Sequence, residues 1–142
     1  MAVLKRQSDR VDVLAQVPLF EGLSKKDLTQ IARRIKEVEF VPGDHLITSG
    51  ASGDEAFVVL EGRATVRKNG RKIAELTSGD IAGEMSLITD LPRSAGVRAD
   101  TFLPALRIER TDLNAIMDEY PTVAVKLLRT VARRLVEAIG SY

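Results

Sequence analysis

Between Phe40 and Glu109 a glycine recurs at positions 43, 50, 53, 62, 70, 79, 83 and 96, and the stretches between are short and β-rich, such as FVVLEG, ATVRKNG and KIAEL. Turn signals at nearly regular spacing favour an all-β sandwich or barrel. Asn69-Gly70 is the clearest turn, because a two-residue hairpin loop of this kind takes φ > 0 at both positions and Asn-Gly tolerates that best. ATVRK and RKIAEL are therefore expected to pair as a hairpin. Val41-Pro42-Gly43-Asp44 is a second turn candidate, linking IKEVEF to HLITSG.

The two ends are patterned differently. Ser24 with Asp27 three residues on has the form of a capping pair that opens a helix from about Lys25 to Arg33. Thr111 is placed to cap a short helix running through Met117. Pro121 stands where a proline is best tolerated, in the first turn of a helix, and Leu127, Leu128, Val131, Leu135, Ala138 and Ile139 then recur at helical spacing, which predicts one apolar face. The expected fold is mainly β with flanking helices: a β-barrel or jelly roll with an N-terminal helical lead-in and a long C-terminal helix. One domain accounts for residues 1–142, with the lead-in over 1–34, the β-roll over 35–109 and the C-terminal helices over 110–142.

Composition narrows the function. The chain has 142 residues, enough for one real core and too few for two. Lys and Arg total 21 against 20 Asp and Glu, so no net field argues for direct binding of nucleic acid or of an anionic membrane. Without cysteine there is no disulfide framework and no thiolate nucleophile. The start, MAVLKRQSDRVDV, lacks an apolar signal region, and AFVVL is far too short to span a bilayer. These features suit a cytoplasmic domain. His45 is the single histidine, so a cluster of imidazoles for a metal is not available, and no Ser or Lys has an evident partner base. An enzyme is not expected.

The stretch GEMSLITDLPRSA, residues 83–95, carries the most specific chemistry. A glycine before a short helical turn lets backbone N–H groups face outward, which suits a phosphate. Arg93 would supply charge through a planar fork able to donate two parallel hydrogen bonds, and Ser94 a hydroxyl or an N–H. Glu84 repels an anion, but its carboxylate accepts hydrogen bonds, so it suits a ligand that also carries a hydroxyl, as a ribose does. Donors for a phosphate beside an acceptor for a hydroxyl describe a nucleotide. The same two residues also fit a surface ion pair worth at most ~1 kcal/mol.

The run GDIAGEMSLITDLPRSAGVRA, residues 79–99, closely resembles the phosphate-binding cassette of cyclic nucleotide-binding domains, whose pattern is roughly F-G-E-[LM]-[AS]-L followed, a few residues later, by P-R-[STA]-A. The likeness extends outward. VPLFEGLSKKDLTQIA resembles the family's helical lead-in, VPGDHLITSGASGDEAFVVLEGRATV its first strands, and YPTVAVKLLRTVARRL its C-terminal hinge helix. The resemblance implies that Glu84 receives the ribose 2′-hydroxyl and that Arg93 pairs with the cyclic phosphate. It implies further that Gly83, Met85 and Ser86 offer the cassette backbone, and that Ser94 and Ala95 line the phosphate's other side. Ala82 departs from the pattern, which has an aromatic there, and is expected to open space next to the pocket.

The family's catabolite activators place hydroxyls of the final helix over the base, where Ala138 and Ile139 fall in this chain, and Arg134 is the arginine set to reach it. An apolar cap would stack on a purine without reading its edge, so the reading leans towards cAMP with cGMP open. The chain stops at Tyr142, leaving no room for the winged helix-turn-helix of a catabolite activator. The resemblance implies a non-enzymatic sensor or regulatory domain without a cofactor, with an effector in the same longer chain or in a separate protein; a degenerate interaction module is the alternative. Phosphate binding would pull the cassette inward, the apolar hinge around Leu87 and Ile88 would repack, and the final helix would close over the base.

Overall fold

The computed structural model describes residues 7–51, 53–88, 93 and 95–140. Helix α1 (Gln7–Gln16), a 3-10 turn (Pro18–Phe20) and helix α2 (Lys25–Arg34) lead into strands β1 (Lys36–Phe40), β2 (His45–Ile47), β3 (Glu55–Val59), β4 (Ala64–Lys68), β5 (Arg71–Leu76) and β6 (Ile81–Ala82). The short helix α3 (Glu84–Ile88) separates β6 from β7 (Gly96–Ala99) and β8 (Leu103–Glu109), and helices α4 (Arg110–Glu119) and α5 (Pro121–Ile139) follow.

The strands form two four-stranded antiparallel sheets, ordered β1-β8-β3-β6 and β2-β7-β4-β5. This is the jelly-roll arrangement expected from the glycine spacing. The Asn69-Gly70 hairpin forms as read: β4 and β5 pair from Ala64↔Leu76 to Lys68↔Arg71, with φ of 53° at Asn69 and 78° at Gly70. The turn at residues 41–44 also forms, closed by the Asp44 N–H on the Val41 carbonyl (3.0 Å) and the Val41 N–H on the Asp44 carboxylate (2.9 Å).

Strand β3 explains why its sequence is apolar without alternation. Ala56, Val58 and Leu60 pack into a core shared with the helices, whereas Phe57 and Val59 point into a second core between the two sheets. A strand buried on both faces has no use for polar residues. Its neighbour β8 divides in the same way, Leu106 and Ile108 to the helices and Leu103 and Ala105 to the inter-sheet core. Phe57 meets Phe40 edge to face, ring centroids 5.3 Å apart.

Three local expectations change. Helix α2 starts at the Ser24 cap, whose hydroxyl accepts from the Asp27 N–H, but α4 is not capped by Thr111. Glu109 and Asp112 form a reciprocal capping box, the cap lying two residues earlier, and α4 starts at Arg110. The six apolar positions named on α5 do not share one face: Leu127 is buried, while Leu128, Leu135 and Ile139 stand exposed. A 100° step per residue puts Leu128 well round the helix from Leu127, so the pattern contains two stripes rather than one. Finally, Ala82 does not open space beside a pocket. It is buried opposite Phe57 in the β3–β6 pair and belongs to the inter-sheet core.

Candidate functional site

The residues singled out in the sequence converge where β6 gives way to α3. Gly83 makes the bend with φ of 88°, a left-handed conformation that side-chain-bearing residues rarely adopt. Glu84, the first residue of α3, is fully buried at 0% exposure, and Arg93 is 7% exposed. Burial excludes the alternative of a solvated surface ion pair. Ser86 and Leu87 are also buried, and Ala95 is half-buried just before β7. Ser94 lies outside the described residues, and of Met85 and Ile88 only the helical backbone is described.

Arg93 is tied in by backbone and side chain. Its N–H donates to the Ala51 carbonyl (3.0 Å) and its own carbonyl accepts from the Gly50 N–H (2.8 Å), which fastens it to the loop before β3. Its guanidinium donates from Nη1 to the Gly83 carbonyl (3.2 Å) and from Nη2 to the Glu55 carbonyl (2.6 Å). Two glycines make the room. A Cβ at Gly53 would lie 2.1 Å from guanidinium atoms, and one at Gly83 would lie 2.4 Å from Nη1. Burial holds the Arg93 pKa below the ordinary arginine value, and the charges of Glu55, Asp54 and Glu84 oppose that shift. Among those opposing charges Glu84 ranks after Glu55 and Asp54.

Arg110 was missed in the sequence. From the first position of α4, its Nη1 donates to the Leu87 carbonyl (2.7 Å), and its Nη2 to the carbonyls of Ser86 (2.8 Å) and Gly53 (3.2 Å). Its Nε approaches Asp54 at 3.4 Å, and its N–H donates to the Asp54 carbonyl (2.8 Å). One side chain thus holds the end of α3, the loop that cradles Arg93 and the start of α4. No local pattern could signal this, because its partners lie more than 20 residues away. Arg110→Met should leave the Ser86 and Leu87 carbonyls without this donor and destabilise the domain by about 2 kcal/mol, as read from urea unfolding. An unchanged midpoint would mean that water replaces the guanidinium without loss.

A cleft of about 140 Å³ opens beside Glu84 between the Val17–Leu19 segment, the Gly79–Ile81 segment and α5, which contributes Leu127, Thr130 and Arg133. Arg93 does not line it. Nor does Ile139, expected as part of a cap, which is exposed at the far end of α5. Among the described side chains of α5, Arg133 lines this cleft; Arg134 and Ala138 lie on the α5 backbone with side chains outside the described set. Among the described residues no group of three His, Asp or Glu side chains is placed to hold a metal ion, and no helix is long and apolar enough to cross a membrane.

Two sheets in this order, with a buried Glu and a buried Arg bracketing a short helix between β6 and β7, define a jelly roll with charged side chains buried at the β6–α3 bend. The sequence signature of the cyclic nucleotide-binding domain matches residues 37–120, and the chain belongs to that family. It is 30% identical over 90% of its length to the potassium/sodium hyperpolarization-activated cyclic nucleotide-gated channel 2 of Mus musculus, but spans only 15% of that channel. Among solved structures it is similar to the Thermus thermophilus catabolite activator protein, with 30% identity, a TM-score of 0.80, and coverage of 85% of this chain and 59% of the other. The fold is also that of cAMP-bound PfPKA-R, with 24% identity, a TM-score of 0.82, and coverage of 97% of this chain and 49% of the other.

Proposed function

We propose that this domain is a non-catalytic sensor that binds a cyclic nucleotide, cAMP in preference to cGMP, and passes the binding event to α4 and α5. The observation that carries the proposal is the pair of buried, oppositely charged residues at the two ends of the cassette. A carboxylate beside an anion site is electrostatically costly unless it serves a hydroxyl. In a cyclic nucleotide only the 2′-hydroxyl of the ribose is free, because the phosphate occupies the 3′ and 5′ oxygens. Arg93 takes the phosphate and Glu84 the hydroxyl, with Gly83, Ser86 and Ala95 shaping the walls and Ser94 and Met85 completing the cassette. Arg134 and Ala138 are the α5 positions assigned to the base.

The tight seating of Arg93 supports a coupled mechanism. With Arg93 only 7% exposed, a phosphate reaches the guanidinium only when the cassette shifts. That shift strains the Arg110 hydrogen bonds to Ser86 and Leu87, so movement of α3 is felt at the root of α4. The nucleotide then favours one of two arrangements of the C-terminal helices.

Calorimetric titration with cAMP, cGMP and 2′-deoxy-cAMP tests the assignment, with AMP formation followed in parallel. Saturable cAMP binding without AMP is expected. The deoxy ligand should bind roughly tenfold or more weakly, because the buried carboxylate is left without its hydroxyl. Glu84→Gln should narrow that gap by removing the charge. Equal affinity of the parent for cAMP and 2′-deoxy-cAMP would take Glu84 out of the site. AMP formation at enzymatic rates would replace the sensor with a hydrolase, and absence of saturable binding at millimolar ligand would leave an interaction module.

A further inference from the structure

The balance of charge over the whole chain hides its segregation. Residues 63–75 hold five cations and one acid, so this stretch carries a net charge of +4 in a chain whose total is +1. Strand alternation decides where those charges point. Ala64, Val97 and Ala99 are buried in the inter-sheet core and Val66 and Leu76 pack against it, which leaves Arg67 on β4 and Arg98 on β7 on the outer face of the second sheet, both exposed. Arg98 stands opposite Thr65 and Arg67 opposite Gly96, so the two guanidiniums are diagonal neighbours. Lys72 stands opposite Arg67, and exposed Lys68 and Arg71 flank the Asn69-Gly70 turn.

The acids on this side are already engaged. Glu75 meets Lys72 (3.1 Å) and Arg63 (4.0 Å). Asp100 accepts from the Thr65 hydroxyl (2.6 Å) and lies 4.0 Å from Arg63, and Asp44 accepts from the Val41 N–H (2.9 Å). Among the described residues Arg67, Lys68, Arg71 and Arg98 have no ion-pair partner. Like charges on facing strand positions repel, a cost that an anionic partner would remove. The bulge between Val66 and Arg67 makes Ile73 the extra residue of β5, and Ile73 is 56% exposed beside these cations.

We propose that the outer face of this sheet and its β4–β5 hairpin tip dock on an anionic phospholipid surface, with Arg67, Lys68, Arg71 and Arg98 against the headgroups and Ile73 adding an apolar contact. The breadth of the patch selects the partner. An acidic peptide laid along the edge strand β5 would reach Arg71 and Lys72, but Arg98 lies two strands further in, about 9–10 Å away at the usual strand spacing. A nucleic-acid duplex is read by an element that enters a groove, and only residues 68–71 extend beyond the pairing of this hairpin with β7. A single strand needs rings to stack on, and none of the outward strand positions 45, 65, 67, 72, 75, 96 and 98 is aromatic. A bilayer offers negative charge continuously over an area, and each Lys or Arg held near it adds to the attraction. The contact uses neither Glu84 nor Arg93 and stands whether or not a nucleotide binds.

Co-sedimentation of the full 142-residue chain with vesicles of phosphatidylcholine and phosphatidylserine, and of phosphatidylcholine alone, tests the proposal. The expected result is binding to the mixed vesicles at millimolar lipid that falls away on phosphatidylcholine alone and in high salt. The double variant Arg67→Gln, Arg71→Gln should lower the partition coefficient at least roughly tenfold. Both side chains are exposed, so circular dichroism and the melting temperature should show an intact fold. Arg67→Lys with Arg71→Lys should restore binding, because a headgroup layer reads charge and not a planar fork. Lys25→Gln with Lys26→Gln removes the same net charge from the start of α2 and should leave the partition coefficient within about twofold of the parent. Absence of binding to the mixed vesicles at millimolar lipid overturns the proposal. So does binding that survives the glutamine variant of the hairpin, an equal loss in the α2 variant, or a preference for double-stranded DNA, RNA or polyglutamate over the mixed vesicles in competition.

Discussion

Arg93→Lys should weaken cyclic nucleotide binding by at least roughly tenfold while leaving a folded domain. A guanidinium has five N–H donors in a rigid plane. Among the described residues, two groups of Arg93 are already spent on orientation, Nη1 on the Gly83 carbonyl and Nη2 on the Glu55 carbonyl. Those bonds fix the plane of the fork beside Gly83 and Glu55, and the cassette shift then turns its donors towards a phosphate. An ammonium has three donors and no plane, and it cannot hold both carbonyls and also form a bidentate contact. Each charge-assisted bond contributes about 1.5–3 kcal/mol, and one such loss is tenfold or more in affinity at about 1.4 kcal/mol per decade. Calorimetry with cAMP reads the affinity and a thermal melt reads the fold. Parent-like affinity in the lysine variant would remove the phosphate role from Arg93.

Gly83→Ala should cost more stability than any other single methyl added to this site. The φ of 88° strains any L side chain, at about 1–3 kcal/mol. The added Cβ would also lie 3.0 Å from the Glu55 carbonyl and 2.9 Å from Ile47 Cδ1, as well as displacing Arg93 Nη1. The carbonyl belongs to β3, which is paired on both sides and has nowhere to go. A total near 3 kcal/mol is expected, a fall in Tm of about 10 °C at this chain length. Gly53→Ala makes the informative contrast. The three atoms nearest its Cβ all belong to the Arg93 guanidinium, the far end of a flexible side chain, so it should push the arginine aside and lower nucleotide affinity while moving Tm much less. If both variants melt alike, the carbonyl of Glu55 is not the rigid wall described here.

The parts of this protein visible in its sequence are those set by neighbours along the chain. The Asn69-Gly70 turn is local φ chemistry, the Ser24 cap is one hydrogen bond over three residues, and the glycine punctuation of the strands is local as well. The Gly83–Ala95 cassette was legible through its resemblance to the family's phosphate-binding cassette, because a carboxylate, a glycine and an arginine in one loop fit a surface ion pair equally well. What misled was periodicity without a partner surface. The apolar residues of α5 fit one face on paper, yet among the described residues Val123 and Leu127 are buried in the core and Val131 packs against it, while Leu128, Leu135 and Ile139 are exposed. The helix has two sides that a hydrophobic count cannot separate.

By itself the sequence determined the class of fold, the turns and the choice of Glu84 and Arg93 as candidate site residues. Only the tertiary structure decided that both are buried, because burial depends on β3, β6 and the loop at residues 50–55 meeting from distant parts of the chain. It alone decided that Ala82 belongs to the inter-sheet core, where the residue opposite it across the strand pair is Phe57, 25 residues earlier. The role of Arg110 also came from the fold, which brings one guanidinium within hydrogen-bonding reach of carbonyls 23, 24 and 57 positions away. Contacts at such separation follow from how sheets stack, and no period or motif along the chain encodes them.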